Sequence, residues 1–187
     1  MELTLTYVLS QVFVIINALL LMATYQLKTR KSILIVSFIA LLANGVAYVL
    51  LSAWSGLAMV FVAMIRNIIF IIDEKKNGKN NQITRKDIAI LIVLYAISII
   101  SAVYTYEGFL SLMSVFATML YTYSVWQKKT SAYKILGIII EVIWIIYNIY
   151  IFSIFGIIIE IILLISAIIG IIRECKMKKE DNNGTTI

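Results

Sequence analysis

The sequence predicts an all-α transmembrane fold of seven helices, and three observations carry that prediction. The chain is 62% hydrophobic and 14% charged, against roughly 45–50% and about 25% in a soluble domain, so lipid is its solvent. Apolar runs of about 20 residues, the length of one helical crossing, recur along its length. The basic residues, 16 Lys and Arg against 10 Asp and Glu, fall in clusters between alternate runs.

The first span, 5–27, is ended by Lys28, Arg30 and Lys31. No small-residue cleavage site follows it, so it is expected to be a retained signal-anchor. The apolar stretch from Ile33 to Ile72 is about twice what one crossing needs and is cut at Trp54-Ser55-Gly56 into spans 32–52 and 55–72. The polar stretch from Asp73 to Asp87 is a loop, after which span four runs 88–105. Glu107 separates it from span five, 108–126. Lys128, Lys129 and Lys134 mark the turn into span six, 132–152, which is parted near Phe152 to Gly156 from span seven, 154–172.

The charges test this count, because a wrong number of spans scatters Lys and Arg onto both sides of the membrane. Basic residues follow spans one, three, five and seven, the last with Arg173, Lys176, Lys178 and Lys179. The other ends carry only Glu2 and Glu107, and the one misplaced cation is Arg66, inside span three. The N-terminus is therefore expected outside and the C-terminus in the cytoplasm. Cys175, the single cysteine, then faces the reducing side and needs no partner.

The same counts exclude several functions. With no histidine and one cysteine, a His-based triad, a His/Cys metal cluster and a disulfide framework are ruled out, and no cofactor is expected. Nucleic-acid binding needs a basic face, whereas these cations are topology signals. The expected partners are the lipid bilayer and a small polar solute, with the protein a monomer or homo-oligomer.

An internal repeat organises the spans. Tyr25-Gln26-Leu27-Lys28-Thr29 recurs as Trp126-Gln127-Lys128-Lys129-Thr130, and Gly56 is matched by Gly156. Both offsets are close to one hundred residues, which makes spans 1–3 and 5–7 two parallel three-helix repeats joined by linker helix 4. The inserted span keeps both copies in one orientation. The expected organisation is a first bundle at 1–72, a loop and linker helix at 73–106, a second bundle at 107–173 and a cytoplasmic tail at 174–187. Parallel repeats of this kind are a recurring transporter plan, with the substrate site near mid-membrane.

Charges within spans are expensive and mark functional candidates. Counting helical rise from the outer ends, Arg66 lies roughly 15 Å in from Gly56 and Glu141 roughly 16 Å in from Phe152, one common depth. Glu160 lies roughly 6 Å in from Gly156, level with Asn148. Glu141, Trp144 and Asn148 share a helix face by their i, i+3, i+7 spacing. Two readings stand: Arg66 and Glu141 form a structural ion pair, or the pair gates or binds while Glu160 titrates or holds a substrate group. Asn17, Asn44, Asn67 and Gln11 add amides, which commonly join helices in membranes. Tyr121, Tyr123, Trp126 and Tyr133 read as an aromatic belt.

Trp144-Ile145-Ile146-Tyr147-Asn148, Ser153-Ile154-Phe155-Gly156, Ile159-Glu160 and Arg173, with Ile65-Arg66 after Leu50-Leu51-Ser52 and the early Gln11, resemble the YgjV family of bacterial inner-membrane proteins over nearly the whole chain. That family is similar to the SWEET, PnuC and PQ-loop group of small carriers, so the resemblance implies two three-helix bundles and a linker helix in the bacterial cytoplasmic membrane. The chain departs from SWEET carriers in having no proline, so a proline-hinged motion does not carry over. Ala167 and Gly170 stand where the family pattern has asparagines, and Glu141 is outside that pattern.

The expected function is a small-molecule carrier whose cavity, between spans 1–3 and 5–7, is lined by Asn44, Arg66, Asn67, Trp144, Asn148 and Glu160. The alternative is a non-transporting sensor using the same cavity. Catalysis is not expected, because no nucleophile, metal set or phosphate loop accompanies the carboxylates.

Overall fold

The computed structural model describes residues 5–52, 54–77, 83–104, 109–150 and 154–184. Among them are seven helices and no strand: α1 (Leu5–Thr24), α2 (Arg30–Leu50), α3 (Trp54–Asn77), α4 (Arg85–Tyr104), α5 (Phe109–Trp126), α6 (Thr130–Tyr150) and α7 (Ile154–Gly184). Each falls on one of the seven predicted runs. Four of them, α1, α2, α6 and α7, are both long and apolar enough to cross a membrane. Glu2, Lys79, Glu107, Phe152 and Ser153, which the sequence places at or between the ends of spans, lie outside the described residues.

Local chemistry sets helix ends that hydropathy misplaces by a few residues. α1 stops short of the predicted Leu27 because the chain turns there: the Gln26 N–H donates to Ala23 O at 3.0 Å and the Leu27 N–H to Thr24 O at 3.2 Å. α2 starts before the predicted residue 32 because Thr29 caps it, its hydroxyl oxygen accepting from the Ser32 N–H at 3.2 Å, which satisfies one of the orphan donors of a helix N-terminus. α3 and α7 outrun their apolar segments, to Asn77 and Gly184, since helix propensity does not end where hydropathy does.

α2 is capped at its C-terminus by Leu51, whose N–H bonds to Ala47 O, followed by Ser52 at φ 54°. This is the left-handed position that commonly ends a helix and usually carries glycine, and a residue with a Cβ loses roughly 1–2 kcal/mol there. Ser52→Gly is therefore expected to stabilise the protein by about 1 kcal/mol, read as a higher unfolding temperature in detergent.

The chain divides into two compact units, Met1–Lys79 and Asn80–Ile187. In the first, α2 packs along both α1 and α3; in the second, α4 packs on α5, α5 on α6 and α6 on α7. The division therefore groups α4 with the helices that follow it. Its anchors to α5 are the Tyr95 hydroxyl donating to Met119 O at 3.3 Å and the Trp126 indole N–H donating to Asp87 O at 2.9 Å.

Polarity is inverted relative to a soluble protein. Phe61, Ile65, Ile92, Val93, Phe116, Ile149, Ile165 and Ile172 are exposed, while Ser37, Arg66, Asn67, Lys134, Glu141 and Asn148 are buried. In lipid the apolar outer face carries no penalty, and polar side chains are driven inward to find partners. The two units also share a length pattern. α2 and α6 are both 21 residues long, and their boundaries stand one hundred positions apart, as do the first residues of α3 and α7.

Candidate functional site

Each unit buries a polar set in the apolar part of its helices. In the first unit the set comes from α2 and α3. Asn67 is fully buried, Ser37 and Arg66 nearly so, and they form a chain. The Arg66 Nε and Nη2 groups each donate to Asn67 Oδ1 at 3.4 Å. Asn67 Nδ2 donates to Ser37 Oγ at 2.8 Å, and Ser37 Oγ donates to Leu34 O at 3.1 Å. Asn44 is partly buried and lies seven residues beyond Ser37, on the same face of α2 but roughly 10 Å further along it, so this chain of bonds does not include it.

In the second unit the set lies on α6 and α7. Glu141 is buried, and Glu160 stands within side-chain hydrogen-bonding reach of it. Two carboxyl groups can hydrogen-bond only when one carries a proton to donate. Trp144 meets Tyr147 edge to face, with ring centroids 5.4 Å apart. Asn148 is buried one turn beyond Trp144. So of the residues the sequence singles out, the structure brings together Arg66 with Asn67 in one unit and Glu141 with Glu160 in the other.

Two ion-pair clusters at the basic ends of the units are features that sequence reading takes only as topology signals. Arg30 is buried and meets Glu74 at 2.6 Å and Asp73 at 3.6 Å, with its guanidinium over the Phe70 ring, 5.7 Å from the centroid. Lys134, also buried, meets Glu174 at 3.1 Å and donates to Gly170 O at 3.3 Å. Ser131 and Thr130 donate to the same Glu174 carboxylate, and Lys178 pairs with it at 3.0 Å. The missed signal was acidic. Asp73, Glu74 and Glu174 are three of only ten acids, each just past the apolar part of a span whose partner helix carries a base within its first five residues, Arg30 in α2 and Lys134 in α6.

A third knot opens α4. Thr84 and Asp87 cap reciprocally: the Thr84 N–H donates to Asp87 Oδ2 at 2.7 Å and the Asp87 N–H to Thr84 Oγ1 at 3.3 Å, the capping-box arrangement. Lys128 pairs with the same carboxylate at 3.3 Å. Burial pushes the Asp87 carboxyl up, but the bonds from Thr84 and Lys128 outweigh it and hold the group below its ordinary value. The aromatics expected as a belt do cluster here, Tyr121 edge-on to Tyr133 at 6.2 Å and Tyr123 stacked on Trp126 at 5.6 Å. Trp126 and Tyr133 are buried, which a purely interfacial belt does not require.

No curated protein and no solved structure matches the chain. A family model does, over residues 8–178, and its description is a bacterial inner membrane protein. That match covers most of both units and reaches into every helix named above, so the chain belongs to the YgjV family of bacterial inner membrane proteins.

Proposed function

We propose that the protein is a seven-span carrier of a small polar solute, with the buried polar sets of its two units as the groups that handle the solute. The observation that carries this reading is the placement of Arg66, Asn67, Glu141 and Asn148: all are buried within helices whose other faces expose large apolar side chains. Intramembrane ionisable groups are costly and mark substrate or ion pathways. Hydroxyls and amides commonly join helices within membranes, so a buried arginine and two carboxyls are more than that joining ordinarily uses.

The 3+1+3 organisation belongs to the same reading. It is supported by the hundred-residue offset between the boundaries of α2 and α6 and between the starts of α3 and α7. It is supported again by the contacts that tie the helix ends, since the Arg30 to Glu74 ion pair and the Thr130 to Glu174 hydrogen bond both join residues 44 apart. Parallel repeats of this kind are a recurring plan among membrane transporters.

The proposed topology places the N-terminus outside and the C-terminal end of α7 in the cytoplasm. Cys175, the only cysteine and exposed, reports it directly. A membrane-impermeant maleimide is expected to label Cys175 in inverted membrane vesicles and not in intact spheroplasts; the reverse pattern overturns the orientation.

The carrier reading itself is tested by screening a metabolite panel for solutes that raise the unfolding temperature, since a ligand bound only to the native state stabilises it by mass action. Those solutes are then followed for flux into liposomes. Binding with saturable flux supports the carrier, and binding without flux supports a sensor that uses the same polar groups.

A further inference from the structure

The bonds around Asn67 run in only one direction, and that direction is set from α2. Ser37 has one hydroxyl proton and gives it to Leu34 O at 3.1 Å, so towards α3 its oxygen can only accept. The Asn67 side chain must therefore present its NH2 group to Ser37, at 2.8 Å, which turns Oδ1 the other way, to the guanidinium of Arg66. The flipped amide puts an oxygen against an oxygen that has no proton left, and an NH2 group against a guanidinium that has only donors.

Adjacent residues on a helix do not ordinarily face each other, so the contact of Arg66 with Asn67 needs something to turn the amide back. Ser37 is that something. The guanidinium offers five N–H groups in a fixed plane; seating the Nε and Nη2 edge on one oxygen fixes where its other end points. We propose that Ser37 is a positioning residue, which acts through Asn67 to set the direction in which Arg66 presents its charge inside the membrane. This rests on the carrier reading only for what that direction is used for.

The test needs no solute. The protein is labelled with ¹⁵N-arginine, and Arg66→Lys identifies the Arg66 Nε–H signal by its disappearance. Arg30, held by Glu74 and Asp73 and not by Asn67, serves as the internal control of folding. In Ser37→Ala the Arg66 Nε–H is expected to shift and to exchange with water about tenfold faster, the scale of one net hydrogen bond, while the Arg30 signal stays in place. In an Asn67→Leu background, Ser37→Ala is expected to add no further change, because a residue that acts through another is silent once the intermediary is gone.

Two results overturn the inference: an Arg66 signal unmoved by Ser37→Ala, or an equal effect of Ser37→Ala with and without Asn67. Because the readout is spectroscopic, its failure is separate from that of the carrier reading, which is judged by flux.

Discussion

Arg30→Met is expected to lower stability by about 3 kcal/mol, the low end of what removing one partner of a buried ion pair costs. Arg30 is one cation serving two acids. Its side chain is 6% exposed, against 14% for Asp73 and 17% for Glu74. Taking it away leaves adjacent carboxylates facing a space vacated by their counter-charge, and it also removes the contact with Phe70. For a chain of this size the loss corresponds to a fall of roughly 6–12 °C in unfolding temperature, readable by fluorescence in detergent.

The matching change in the second unit, Lys134→Met, is expected to cost less, because Glu174 keeps Lys178 and the Ser131 hydroxyl. The mechanism has its own control. Neutralising the acids with Asp73→Asn and Glu74→Gln in the Arg30→Met background is expected to restore much of the loss, since an ion pair replaced whole is close to neutral while a broken one is not. If the triple variant is no more stable than Arg30→Met, the arginine acts by packing and not by charge.

Glu160→Gln is expected to reduce solute flux by about a hundredfold or more and to remove its pH dependence. Glu141 and Glu160 stand close to each other, and a hydrogen bond between two carboxyl groups forms only while one of them holds a proton. In the carrier reading the proton is released and regained as the protein cycles, so flux varies with pH. Glutamine keeps a donor permanently and freezes the pair in its hydrogen-bonded state. The check is flux into liposomes across a pH series for the wild type, Glu160→Gln and Glu141→Gln. Wild-type flux with no pH dependence sinks the role of the pair and leaves Arg66 to carry the site.

Most of the helical framework is legible in the sequence, because the bilayer imposes a length and a charge asymmetry that leave few ways to cut the chain. The seven runs became seven helices. What hydropathy cannot see is how a helix end is tied. Thr29, Thr84 and Asp87 set boundaries through hydrogen bonds that apolarity does not encode, and α7 continues well past Ile172 as a helix of polar residues.

The polar residues were legible as candidates and not as a network. Arg66 and Asn67 are adjacent in sequence, but the residue that organises them, Ser37, is 30 positions away, in a stretch where a serine among apolar residues looks like any other. Helical rise counted along the sequence sets Glu141 and Glu160 at different depths, and their proximity follows from the antiparallel packing of α6 on α7. In the sequence Arg30 and Lys134 have only the character of topology markers. Their burial shows that a basic residue at the end of a span can be a packing partner as well.

The measurement that bears most directly on the central claim is solute counterflow in liposomes containing the purified protein, using whichever metabolites raise its unfolding temperature. The account predicts saturable flux of a small polar solute, abolished by Arg66→Leu and by Glu160→Gln and preserved in Ser52→Gly, which alters only a turn. Binding of such a solute with no flux, or flux indifferent to both Arg66→Leu and Glu160→Gln, contradicts it.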